Sequence, residues 1–152
     1  MKKALIIVLV TFLAVGAVLT VAGFMFFREK PKLEASIEIP AEIALGSTVS
    51  LVVKVSNPHQ KAVGLDSVDV ADSFLAGFQV LSVEPKPTGT THVPVLDQRS
   101  WDFGRAVPPG GKLTVTFTLK AVAEGHFSGD LDVCNPSQDF TTHVVDVVVK
   151  GK

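Results

Sequence analysis

The 24 residues from Ala4 to Phe27 carry no charge at all, and an uninterrupted apolar stretch of that length reads as a membrane span. Lys2 and Lys3 precede it, and Arg28, Lys30 and Lys32 follow it. As a helix rising about 1.5 Å per residue it would extend roughly 36 Å, enough to cross a hydrocarbon layer of about 30 Å with a little tilt. A secretory signal has an apolar region of only about 7 to 15 residues. The run passes the small residues Thr20, Val21 and Ala22 and stays apolar through Phe24, Met25, Phe26 and Phe27, so the expectation is an uncleaved signal-anchor in the lipid bilayer. No cysteine lies near its end, which excludes a lipoprotein anchor. Basic residues on the two flanks nearly cancel. The short head, residues 1–3, then favours a single-pass arrangement, with the N-terminus cytoplasmic and the remainder on the extracytoplasmic side of the cell membrane.

After a linker of residues 28–32, the segment 33–152 has the length of one ordinary domain with its own core. The formal net charge of the chain is −1, so it creates no strong field of either sign, and no basic patch interleaves with aromatics. Nucleic acid is therefore excluded as an expected partner. Cys134 is the only cysteine and cannot form an internal disulfide. Its strand-like surroundings, Leu131 and Val133, predict a buried thiol.

Beyond the linker, polar and apolar residues alternate, the mark of strands with one face in a core. Leu33, Ala35, Ile37 and Ile39 form one such row, and Val49, Leu51, Val53 and Val55 a second, stopped by the turn residues Asn57-Pro58-His59-Gln60. Further strands are expected over 62–70, 78–83, 93–96 and 101–103. Residues 85–91 read as the longest polar loop, and Gln98-Arg99-Ser100 as a break. The clearest strand covers 112–123, where Leu113, Val115, Phe117, Leu119 and Ala121 alternate with Thr114, Thr116, Thr118 and Lys120. Pro108-Pro109-Gly110-Gly111 turns into it. Strands at 127–134 and 140–150, joined by a hairpin loop at 135–139, complete eight or nine, with no helical stretch after Phe27. The fold class is all-β: an antiparallel β-sandwich preceded by one N-terminal transmembrane α-helix.

The segments SLVVKVSNP, VDVADSFLAGFQVLSVEP and WDFGRAVPPGGKLTVTFTLKAVAEGHFSGDLDV resemble the immunoglobulin-like repeat of bacterial surface and adhesion proteins of the DUF11 or CARDB type. Asn57, Asp72, Phe74, Gly77, Phe78, Trp101, Gly104, Pro109, Gly110 and Gly129 stand where that pattern has its turn, Asp-x-hydrophobic, Trp-x-hydrophobic-Gly and hairpin residues. The resemblance spans nearly all of 33–152 and implies an immunoglobulin-like sandwich. It implies fold more than activity, because these are architectural residues. Trp101 and Phe103 are expected to fill the space between two sheets, with Gly77 and Gly110 permitting turns. Members are usually repeated along one chain, whereas this chain carries a single copy beside its anchor.

Chemistry-bearing residues do not assemble into a recognisable motif. His59, His92, His126 and His143 lack metal-ligand spacing, so no metal is expected. Asp72-Ser73 with His92 contains the residue types of a hydrolase triad, without a Gly-x-Ser-x-Gly elbow to frame the serine. Asp130, Asp132 and Asp139 with Asn135 supply oxygens for a hard cation, without the dense Asp/Asn/Gly loop of a dedicated site. Lys54 points away from the Val53/Val55 face and is unsuited to an internal isopeptide bond. No catalytic, cofactor-binding or metal residue and no small-molecule substrate is expected, and the chain does not read as an enzyme.

Two functions fit. One is a protein-binding or scaffold module, for instance an accessory subunit of a membrane complex, with other membrane or surface proteins as partners. The other is an independent cell-surface protein binding carbohydrate or cell wall through its loops, with Asp97, Gln98, Arg99, Ser100 and residues 88–91 as candidates. Tyrosine is absent and Trp101 reads as core, leaving few aromatic platforms for sugars. That scarcity favours the scaffold reading.

Overall fold

A computed structural model describes residues 32–151. The expected transmembrane segment, residues 4–27, lies outside them. Among the described residues no helix is long and apolar enough to cross a membrane.

Ten strands follow one another: β1 (Glu34–Glu38), β2 (Glu42–Ala44), β3 (Thr48–Ser56), β4 (Val63–Ala71), β5 (Phe78–Glu84), β6 (Gly89–Val93), β7 (Gln98–Val107), β8 (Lys112–Ala121), β9 (Gly125–Cys134) and β10 (Phe140–Lys150). One helical turn, α1 (Asp72–Leu75), joins β4 to β5, and a 3-10 turn, Pro94–Leu96, joins β6 to β7. They build a four-stranded sheet in the order β1-β3-β8-β5 and a six-stranded sheet in the order β2-β10-β9-β4-β7-β6. This is the expected two-sheet sandwich.

Alternation in the sequence becomes alternation in burial. Leu51, Val53 and Val55 of β3, Val115, Phe117, Leu119 and Ala121 of β8, and Val145, Val147 and Val149 of β10 are all buried in one core cluster. Trp101 and Phe103 lie in that cluster, and the Trp101 ring meets Phe117 edge-on at 5.0 Å between centroids. Burying such side chains contributes about 1.5–3 kcal/mol each.

Most neighbours pair antiparallel, but β2 lies parallel to β10, with Glu42 opposite Val148 and Ala44 opposite Lys150. The chain changes sheets between β1 and β2, where Pro40, lacking an N–H, can neither continue the first ladder nor start the second. An all-antiparallel sheet was expected, so this pair is a correction. Others concern short or peripheral segments. β2 was not foreseen. Residues 89–91, expected at the end of a loop, form β6 together with His92 and Val93, while 94–96, expected to continue a strand from 93, form the 3-10 turn. Gln98, Arg99 and Ser100 do not break a strand; they begin β7. Gly110 has the positive φ expected of its turn, at 65°. Gly77 is required for space: a Cβ there would lie 2.4 Å from Phe127 Cδ2.

The register fixes the two ends of the sandwich. Leu33, the 135–139 loop and the 108–111 turn lie at one end, since Thr141 Oγ1 donates to the Leu33 carbonyl at 2.7 Å and Asn57 N to Gly111 O at 3.0 Å. α1, the 3-10 turn and the β8–β9 connection lie at the other.

Candidate functional site

The end carrying α1 contains a cleft of about 440 Å³ lined by Asp72, Leu75, Ala76, Phe78, Gln79, Val80 and Arg99. Each wall has a local cause. β5 is the last strand of its sheet, so one side of Phe78, Gln79 and Val80 has no neighbouring strand. The α1 turn crosses between the sheets, with Phe74 as its buried peg against Phe78 at 5.0 Å between ring centroids. The β6–β7 hairpin closes the third side by pairing His92 with Arg99, which puts both on the face that also carries Trp101. Asp72 ties that hairpin to α1: its N–H donates to the Asp97 carbonyl at 2.8 Å, and His92 Nε2 lies 2.6 Å from its Oδ2. Arg99 is exposed, and among the described residues its guanidinium has no hydrogen-bond or ion-pair partner. The cleft thus offers an apolar floor, one amide, one guanidinium and one carboxylate already engaged by histidine.

Asp72 and His92 are therefore brought together as the triad types would require, but Ser73 is not. Its Oγ donates to the Ser128 carbonyl at 2.8 Å. The loop group is divided as well. Arg99 lines the cleft, whereas Gln98 and Ser100 face the outside of the six-stranded sheet and Asp97 occupies a left-handed turn position with φ 49°. None of the four histidines meets another. His59 Nε2 lies 2.8 Å from the Lys32 carbonyl, His126 Nε2 lies 2.8 and 2.9 Å from the two Asp146 oxygens, and His143 Nε2 is buried with no hydrogen-bond partner.

On the outer face, Asp69 of β4 and Asp132 of β9 are register partners, a like-charged pair that costs stability unless each is otherwise satisfied. Ser100 Oγ donates to Asp69 Oδ1 at 2.5 Å and Cys134 Sγ to Oδ2 at 3.4 Å, while Thr142 Oγ1 and Gln98 Nε2 serve Asp132 at 2.5 and 3.1 Å. Cys134 is half-buried, less than expected, and its thiol is pushed up to about 12, first by burial and then by the Asp69 charge. Such a thiol is a poor nucleophile. Asp130 is exposed, and Asn135 Oδ1 accepts from the Ser137 and Asp139 N–H groups, organising its own loop. Among the described residues no group of three or more His, Cys, Asp or Glu side chains is placed to hold a metal ion. Lys54 is exposed and pairs with Glu38.

No protein-family model matches the sequence, and no curated protein sequence does either. Solved structures do. The CARDB domain of a Pyrococcus furiosus protein, solved in complex with di-metal ions, is similar at TM-score 0.51 and 16% identity, over 80% of this chain and 90% of that one. A cohesin module of a Clostridium perfringens family 33 glycoside hydrolase is similar at TM-score 0.55 and 9% identity, over 81% and 100%. So is AvmM, which catalyses macrocyclization in alchivemycin A biosynthesis, at TM-score 0.55 and 11% identity, over 81% and 90%. At such identities the likeness speaks of fold alone. The described domain is an immunoglobulin-like β-sandwich, a type that the CARDB domain shares.

Proposed function

We propose that the chain is a non-enzymatic binding or scaffold module, tethered to the cell membrane through residues 4–27. Its sandwich stands on the extracytoplasmic side and docks onto another membrane or surface protein, as an accessory subunit would. The observation that carries this reading is the state of the polar side chains. Asp69, Asp132, Ser73 and Asp146 are each satisfied by neighbours within the fold, which leaves a cleft and free strand edges as the surfaces open to a partner. Cohesin and CARDB domains on the same architecture support a binding role by analogy.

The test is purification of the tagged full-length chain from its native membrane in mild detergent. Membrane proteins recovered with it in fixed stoichiometry are the expected result, together with retention of the chain in the membrane pellet after alkaline carbonate washing. A lone monomer released by carbonate, or one whose sandwich binds glycan, overturns the proposal.

A further inference from the structure

Four strands lie at sheet edges, and they differ in how they are protected. β2 has three residues; β1 has five, with Glu34 and Glu38 at its ends; β6 has five, with Gly89, Thr90, Thr91 and His92 before its one apolar residue. Short length and charge are the usual devices against unwanted pairing. β5 has seven residues, Phe-Gln-Val-Leu-Ser-Val-Glu, with no charge before Glu84 and with Leu81 49% exposed. Its one irregularity, between Val80 and Ser82, leaves Phe78, Gln79 and Val80 in regular antiparallel register with Ala121, Lys120 and Leu119. Those three are the β5 residues that line the cleft.

Resting on the binding-module reading above, we propose that this cleft is a docking slot for an extended, carboxylate-bearing segment of a partner protein. The segment's main chain adds to the free edge of β5 beside Phe78, Gln79 and Val80, and its carboxylate is taken by Arg99. Strand addition supplies hydrogen bonds regardless of sequence, so specificity must come from the side chains flanking the slot. Leu75, Phe78 and Val80 offer apolar contact to one row of an alternating segment. Charge selects the rest. Asp72 is engaged by His92, whereas Arg99 is the cation of the cleft and has no counter-ion among the described residues. A guanidinium fork in that position matches a carboxylate and repels a basic segment. Exposed Val95 and Leu96 stand on the adjoining turn, whose following residue, Asp97, is bonded to Asp72.

The experiment follows the backbone amide resonances of the full-length chain in detergent micelles during titration with an acetylated, amidated pentapeptide, TVEVT. Saturable shifts at Phe78, Gln79, Val80 and Arg99 are expected. Binding should be at least about tenfold weaker for TVKVT, for TVEVT methylated along its backbone nitrogens, and for the exposed-site variant Arg99→Gln. The proposal is overturned by the absence of saturable shifts, by shifts centred on β1 or β6, by shifts that report self-association of the chain, or by equal binding of the lysine or methylated peptide. Undiminished recovery of native partners with Arg99→Gln would also remove the cleft as the docking slot while leaving the membrane-module reading intact.

Discussion

Asn57 is 1% exposed, and its amide Nδ2 donates to the carbonyls of Lys61 and Val107 at 2.8 Å while its Oδ1 accepts from His59 N–H at 2.9 Å. The side chain thereby binds the β3–β4 turn to the end of β7. Asn57→Ala strands those buried groups, each costing about 1–3 kcal/mol, and should destabilise by at least about 2 kcal/mol in a urea titration. A loss within about 0.5 kcal/mol would mean the turn holds itself. Cys134 gives a prediction in pH. The unfolded thiol ionises near 9 and the folded one near 12, so its contribution is intact below the lower value and is lost as pH rises towards the higher. The chain has no tyrosine to obscure that window. Between about pH 8 and about pH 10.5 the wild type should lose more stability than Cys134→Ala. Parallel loss in both would refute the assignment. The sequence alone displayed Asn57 as a turn residue and Cys134 as strand. It could not display their distant partners, Val107 and Asp69, which lie 50 and 65 positions away in the chain.

Gly77 shows how two elements demand a particular residue between them. It follows α1 and faces the Phe127 ring of β9, which a Cβ would approach to 2.4 Å. Gly77→Ala should cost about 1–3 kcal/mol by overpacking. Combining it with Phe127→Leu should cost less than the two single losses together by more than about 0.5 kcal/mol, and strict additivity would exclude the clash. The elements that the sequence made legible are those with one face in the core, because burial imposes period two: β1, β3 and β8 have the expected phase, and β9 and β10 stand where strands were expected. Elements without such a face left no period. β2 holds one buried residue, Ile43, and β6 is an edge strand whose residues are exposed or half-buried. Gln98 and Ser100 read as a break because their side chains serve Asp132 and Asp69 on the outer face. The cleft was illegible for a related reason. Asp72, His92 and Arg99 meet through the register of the β6–β7 hairpin, and a hairpin that is itself unseen cannot reveal what it brings together.

The described domain has one core cluster shared by both sheets, so its layers have no independent means of persisting. Unfolding followed by Trp101 fluorescence and by far-ultraviolet circular dichroism should trace the same curve. Trp101→Ala should shift the dichroism transition as a whole, with a loss of about 3 to 5 kcal/mol, and a loss below about 1 kcal/mol would place Trp101 outside the core. A different consequence follows from β2 lying parallel to β10 while β1 runs antiparallel to β3. Tension drawn between Leu33 and Lys150 runs along these ladders. Their hydrogen bonds are loaded in shear and must yield together, whereas a hairpin pulled from its open end unzips one rung at a time. The crossing at Pro40 thus makes the first segment a mechanical clamp across both layers.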